Sequence, residues 1–100
     1  MTLRLVVDPA AEVDILEAFR WYEISSLGLG NRFLDSLDSA FQSIIDNPVA
    51  FPNVIEDVRR TLTKTFPYLV FFTANEESVY ILAVIHASQD PDYITSRLDA

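Results

Sequence analysis

The sequence of 100 residues has no cysteine, one histidine and two glycines. Without cysteine it can form neither a disulfide nor a thiolate metal site, and one histidine excludes a metal site made of histidines alone. It also contains no glycine-rich phosphate loop, no paired catalytic carboxylates and no metal-ligand spacing. We therefore expect no metal and no cofactor.

Long apolar runs are also missing. No stretch approaches the ~20 apolar residues of a membrane span, and the first residues lack the basic start and apolar run of a signal peptide. Half of the residues are hydrophobic and 12% are aromatic, which excludes intrinsic disorder. We expect a soluble, cytoplasmic protein without membrane contact, folded as a single domain over residues 1–100.

Positive charge is scarce and unevenly placed in a chain whose formal net charge is −8. Residues 1–57 carry three arginines against ten acids, whereas residues 58–100 carry four cations against five acids. Three of those four cations, Arg59, Arg60 and Lys64, lie on one predicted strand. Extended duplex nucleic acid is not an expected partner, because its binding needs many cations that each release a counterion. A small, focused site on this strand stays open.

Two helices are predicted in the first half of the chain. An Asp-Pro pair starts the first at residue 8, and apolar residues spaced three and four apart continue it to about residue 24. The turn "SSLGLGN" holds both glycines and leads to a second helix over about residues 31–46, which Asn-Pro ends. Trp21 and Tyr22 are interpreted as core or helix-packing residues.

Four strands complete the prediction, at about residues 3–7, 58–65, 68–73 and 79–86. Residues 48–57 are interpreted as an irregular crossing. A short helical turn at the C-terminus would carry Tyr93 and Arg97, although a frayed tail is the favoured interpretation.

The last two strands, "YLVFFT" and "VYILAVIH", are apolar on both alternating faces. A sheet with one face in water should alternate apolar and polar residues, and the two helices can cover only one face. An uncovered second face would be a large exposed apolar patch. Either the C-terminal tail or a partner chain must cover it, and we favour a partner chain.

The order of "AFRWYE", "GLGNRFLDSLDSAF", "NPVAFPNV", "VRRTLTKTFPYLVFF" and "ILAVIHASQDPDYITSR" resembles the ParE/RelE superfamily of toxins from bacterial type II toxin–antitoxin modules. The resemblance covers nearly the whole chain. It implies an α+β fold of β-α-α-β-β-β order, with a helical hairpin packed on a twisted antiparallel sheet. It also implies a plasmid-stabilisation module in which a cognate antitoxin wraps and silences the toxin.

The two branches of this superfamily imply different activities. Similarity to ParE implies a non-hydrolytic poison of DNA gyrase, and similarity to RelE implies a ribosome-dependent mRNA endoribonuclease. Relatives commonly have His-x-Arg-Arg-Asp-Pro after the last strand, whereas this sequence has "HASQDP", without both arginines. We favour the ParE-like branch; a degenerate, non-toxic member that still binds antitoxin is a further alternative.

A nuclease would need a base, an acid and a cation for the phosphate. His86 is the candidate base or acid, and Arg59 or Arg60 the candidate phosphate ligand. The alternative is a structural His86 that bonds a loop carbonyl, with an arginine paired to Glu56, Asp57 or a helix acid. Because strand residues alternate, Arg59 and Arg60 should point to opposite faces.

As a ParE-like protein, the chain would instead use its cations to bind a partner. The residues interpreted as partner-binding are Arg59, Arg60, Lys64, Tyr93 and Arg97.

Overall fold

The computed structural model describes residues 2–99. Within them lie three helices, five strands and a short 3-10 helix at Pro48–Ala50. The elements are β1 (Arg4–Val7), α1 (Pro9–Ser25), α2 (Leu29–Asp46), β2 (Asn53–Ile55), β3 (Val58–Leu62), β4 (Tyr68–Ala74), β5 (Ser78–His86) and α3 (Pro91–Asp99). The predicted α+β class and the helical hairpin are confirmed.

The turn between α1 and α2 is built on the two glycines. Gly28 has a φ of 86°, in the left-handed region that glycine adopts without strain. The Glu23 carboxylate accepts the backbone N–H of Gly28 at 3.0 Å and of Gly30 at 3.0 Å. A carboxylate beside the first N–H groups of α2 is favourable, because these groups lack partners within the helix and carry partial positive charge.

The sheet has the order β1-β5-β4-β3-β2 and differs in two details from the predicted antiparallel sheet of four strands. Strand β1 runs parallel to β5. Parallel neighbours need a long connection, and here it consists of the helical hairpin and the strands β2 to β4. Strand β2 adds a short edge strand within the segment interpreted as an irregular crossing.

Strand β3 ends at Leu62 rather than at residue 65. The chain bends at this point, and Thr65 has a φ of 73°. The buried Thr63 hydroxyl bonds to the Phe66 carbonyl, and the Thr63 N–H donates to the Tyr68 carbonyl at 2.9 Å. These bonds replace the ladder hydrogen bonds that a longer strand would make.

The main core lies between the helical hairpin and the sheet. It includes Phe33 and Ile44 of α2 and Phe72 and Ile81 of the sheet, all fully buried. An aromatic group continues this core, with ring centroids 4.9–5.7 Å apart for the pairs Tyr22–Phe33, Tyr22–Phe66, Phe33–Phe66 and Phe33–Tyr68.

The packing prediction is confirmed for Tyr22 and wrong for Trp21. The Trp21 side chain is 69% exposed, whereas Tyr22 lies in the aromatic group. Successive helix residues are rotated by about 100°, so neighbours on α1 cannot both face the core.

The C-terminal helix of the same chain covers the part of the second sheet face that surrounds Phe71, Ala83 and Ile85. Ile94 and Leu98 of α3 pack against a buried cluster of Val58, Phe71, Ala83 and Ile85. For this part of the face the preference for a partner chain over the C-terminal tail is therefore wrong, and so is the interpretation of a frayed tail. Ile94 and Leu98 are four residues apart, so both lie on one side of this nine-residue helix, where they are partly buried against the cluster.

Across residues 2–99, none of the helices combines the length and apolar character that crossing a bilayer requires.

Candidate functional site

Arg59 and Arg60 point to opposite faces of the sheet, as the alternation predicts. In the ladder between β3 and β4, Arg59 is the partner of Phe72, which lies in the main core. Arg60 is the partner of Phe71, which lies in the buried cluster under α3. Arg59 therefore faces the hairpin side, where its guanidinium donates to the Phe51 carbonyl at 2.5 Å. Arg59 therefore does not pair with a neighbouring carboxylate, as the structural alternative expected. Its hydrogen bond holds the segment that follows α2.

Arg60 is exposed on the second face of the sheet. It borders a shallow hollow of about 500 Å³ that it shares with Leu62 and Leu69 among other residues. Within residues 2–99 its side chain makes no hydrogen bond or salt bridge. Leu62 beside it is 57% exposed, so a cation and apolar surface lie together on this side.

Lys64 lies beyond the end of β3, in the bend that leads to β4. The Ser36 hydroxyl of α2 donates to the Lys64 carbonyl at 2.5 Å, and the lysine borders a hollow beside α2 together with Asp35. The three cations of this segment thus lie in three different surroundings rather than in one patch.

His86, at the end of β5, is held by the turn that follows it. Its Nδ1 lies 3.1 Å from the Ser88 backbone nitrogen and 2.7 Å from the Ser88 hydroxyl. Because a backbone N–H can only donate, Nδ1 is the acceptor, and in the neutral ring the hydrogen sits on Nε2. This imidazole presents a donor rather than a free basic nitrogen, and its partner is an N–H rather than the expected carbonyl.

The His86 ring also packs edge-to-face on Tyr68, with centroids 5.2 Å apart. Burial, with a smaller contribution from the neighbouring Tyr22 hydroxyl, raises the pKa of Tyr68 to about 12. Tyr68 is therefore a neutral phenol at physiological pH.

Arg97 of α3 is tied to Asp14 of α1 by two parallel bonds of 2.9 and 2.8 Å. Its guanidinium also bonds the Tyr93 hydroxyl at 2.9 Å. The hydrogen bond to Asp14 raises the pKa of Arg97, so the guanidinium stays charged. Asp14 additionally accepts the Val84 N–H at 3.0 Å, beyond the point where β1 stops pairing with β5.

These groups surround a pocket of about 280 Å³ between α1, α3 and the end of β5, here named the α1–α3 pocket. Its lining includes Asp14, Glu17, Trp21, Tyr68, His86, Tyr93 and Arg97. The pocket unites His86, Tyr93 and Arg97 from the sequence prediction, whereas Arg59, Arg60 and Lys64 border other surfaces. Its one arginine is already bonded to a carboxylate, so His86 is not paired with a cation open to phosphate.

Sequence reasoning missed Asp14, which was interpreted as part of a solvated face. A signal for its position was present, because Asp14 lies three residues after Ala11 and four before Ala18. Both alanines are buried, and a carboxylate between two small residues on one helix face is placed to meet a neighbouring element.

Most of the sequence matches the model of one known protein family. The model of the ParE toxin of type II toxin–antitoxin systems, parDE, matches residues 5–91. This chain belongs to the ParE toxin family. The matched range begins in β1 and ends at the first residue of α3, so it includes the helical hairpin, all five strands and His86.

Similar proteins agree with the ParE assignment. Toxin ParE2 of Mycobacterium tuberculosis, from strains CDC 1551 / Oshkosh and ATCC 25618 / H37Rv, is 28% identical over 99 residues, covering 98% of this chain and 94% of the relative. A solved structure of the chromosomal ParDE TA system from P. aeruginosa superposes with a TM-score of 0.76 at 12% identity, covering 87% of this chain and 98% of that chain. At this identity the structural match shows the shared fold.

Proposed function

We propose that this chain is a toxin that acts in the cytoplasm as a non-hydrolytic poison of DNA gyrase and is silenced by a cognate antitoxin. The observation that carries the proposal is the ParE family match over residues 5–91. The superposed structure supports an antitoxin partner by analogy, because it is of a ParDE toxin–antitoxin system.

The geometry around His86 supports a mechanism without hydrolysis. General base catalysis needs an unprotonated nitrogen that faces the substrate hydroxyl, whereas Nδ1 of His86 already accepts from Ser88. Phosphate stabilisation needs a free cation nearby, whereas the arginine of this pocket bonds Asp14. These contacts favour recognition of a protein over cleavage of RNA.

Among the residues interpreted as partner-binding, we assign direct docking to Arg60 and Lys64. Both side chains are exposed, and Arg60 stands beside the exposed Leu62. An acidic antitoxin segment with apolar side chains would pair with Arg60 and cover Leu62. Arg59 and Arg97 act instead as positioning residues, since each already bonds another part of the chain.

The proposal is tested by inducing the protein in bacteria with and without the product of the neighbouring reading frame. We expect growth to stop when the protein is made alone, with an SOS response and stalled gyrase, and to recover when the neighbour is made with it. Primer extension on cellular mRNA should show no ribosome-phased cuts.

Two results would reject the proposal. Ribosome-phased cuts in mRNA would indicate a RelE-like nuclease, and normal growth with abundant soluble protein would indicate a degenerate member that has lost toxicity.

An Arg60→Ala variant tests the docking assignment. We expect weaker antitoxin binding by about 1–2 kcal/mol, with Arg20→Ala on α1 as the matched control of equal charge change.

A further inference from the structure

We propose that the α1–α3 pocket receives one cationic side chain, an arginine or lysine, from a protein partner. The assignment concerns a site on α1 and is separate from the Arg60 surface on the second face of the sheet. It stands whether or not gyrase is the target, because it rests on the pocket's own walls and charges.

The aromatic wall of the pocket is Trp21. This side chain lines the pocket and remains 69% exposed, which leaves indole surface free for a ligand. Tyr93 lies on the α3 side, where the Arg97 guanidinium already sits 5.8 Å from its ring centroid. The face of an indole is the aromatic surface that attracts cations best.

The charge of the pocket selects a cation over an anion. Asp14 and Arg97 neutralise each other through their two bonds. Glu17, which also lines the pocket, makes no hydrogen bond or salt bridge with any residue in the described range 2–99. It lies four residues before Trp21 on α1, so the carboxylate and the indole occupy the same helix face. Among Asp14, Glu17 and Arg97, the formal charge left unpaired is therefore the negative charge of Glu17.

The surface beside the pocket indicates that the cation belongs to a protein. Trp21 is followed by Ile24 and Leu27, which are 86% and 93% exposed. Trp21 and Ile24, three residues apart, lie on one side of α1, and Leu27 follows in the hairpin turn; these three exposed side chains are here named the apolar ridge. A partner segment with a basic residue next to apolar ones would fill the pocket and cover the ridge at once. A second copy of this chain is disfavoured as the partner by its net charge of −8.

Trp21 is the only tryptophan of the chain, so its fluorescence reports on this pocket alone. The probe is acetyl-arginyl-leucinamide, titrated into the purified protein at constant ionic strength. The matched control peptide carries citrulline, which keeps the shape of arginine without its charge. We expect a saturable change in Trp21 emission with the arginine peptide, a weaker one with the lysine peptide, and none with the citrulline peptide.

Two variants that each remove one negative charge test whether peptide binding depends on Glu17 itself or only on the net charge of the protein. Glu17→Gln should weaken binding of the arginine peptide about fivefold. Glu76→Gln, in the exposed loop between β4 and β5, should leave binding unchanged. An equal response to arginine and citrulline, an equal effect of the two variants, or no saturable response up to about 50 mM peptide would overturn the proposal.

Discussion

The Asp14 side chain joins three elements of this small fold, α1, α3 and β5. Its two carboxylate oxygens bond Arg97 of α3, and one of them also accepts the Val84 N–H of β5. Both side chains of the salt bridge are largely shielded from water. In such a setting, removal of one partner costs more than the pair itself contributes, because a charge and a backbone donor are left unpaired.

We expect Asp14→Ala to lower the free energy of unfolding by about 2–3 kcal/mol. Asp38→Ala, on the exposed side of α2, is the matched control and should change it by less than about 0.5 kcal/mol. Urea denaturation followed by circular dichroism measures both. Equal midpoints for the two variants would show that Asp14 does not hold α3 to β5.

Because of Tyr68, the free energy of unfolding should depend on pH in the alkaline range. Its pKa is raised to about 12 in the folded protein, above the value of about 10 in an unfolded chain. The stabilisation is complete below pH ~10 and is lost as the pH rises to ~12, because the unfolded state releases its proton first.

Between pH 9 and 12 the native protein should therefore lose on the order of 2 kcal/mol more stability than a Tyr68→Phe variant. The comparison cancels the other groups that titrate in this range. Denaturation midpoints at several pH values measure it, and parallel curves for the two proteins would refute a raised pKa.

At the scale of elements, the helical hairpin depends on close approach at its turn. A Cβ on Gly30 would lie 2.8 Å from ring atoms of Phe19 and 2.9 Å from the Glu23 carboxylate, whereas a Cβ on Gly28 would meet nothing within 4 Å. The two glycines are thus required for different reasons, one for space and the other for its left-handed backbone.

Gly30→Ala should destabilise the protein by about 1–3 kcal/mol, although alanine is the better helix former. Gly28→Asn should cost less than about 1 kcal/mol, because asparagine tolerates the left-handed region. Thermal melting compares the two variants. A more stable Gly30→Ala protein would mean that α1 and α2 are not packed as closely as described.

Helix α3 is the element that covers the cluster around Phe71 on the second face of the sheet. Leu98→Asp should detach it, expose the cluster around Phe71 and increase the binding of the dye ANS. Thr95→Ala, at an exposed position of α3, should leave ANS binding near the native level. If Leu98→Asp binds no more ANS than Thr95→Ala, α3 does not cover this face.

Most of the fold could be predicted from local patterns, whereas α3 and the site could not. The Asp-Pro start of α1, the glycine turn and the apolar spacing of α2 are short-range signals. The docking of α3 depends on Asp14 and Arg97, which are 83 residues apart in sequence. Three cations close in sequence suggested one patch, but alternation on β3 and the bend after Leu62 separate them.

At the scale of the whole molecule, the charge and the exposed apolar surface support the proposal that this chain recognises other proteins. The net charge of −8 disfavours nucleic acid, and the exposed apolar side chains lie beside isolated charged groups on two separate surfaces. The proposed function requires such surfaces, because it has the toxin bind both a target and an antitoxin.

The most direct measurement is a supercoiling assay with purified protein, DNA gyrase, ATP and relaxed plasmid. We predict that the protein blocks supercoiling and traps cleaved plasmid bound to gyrase, and that the product of the neighbouring reading frame reverses both effects. Full supercoiling at a several-fold molar excess of folded protein, together with cleavage of mRNA on translating ribosomes, would contradict the account.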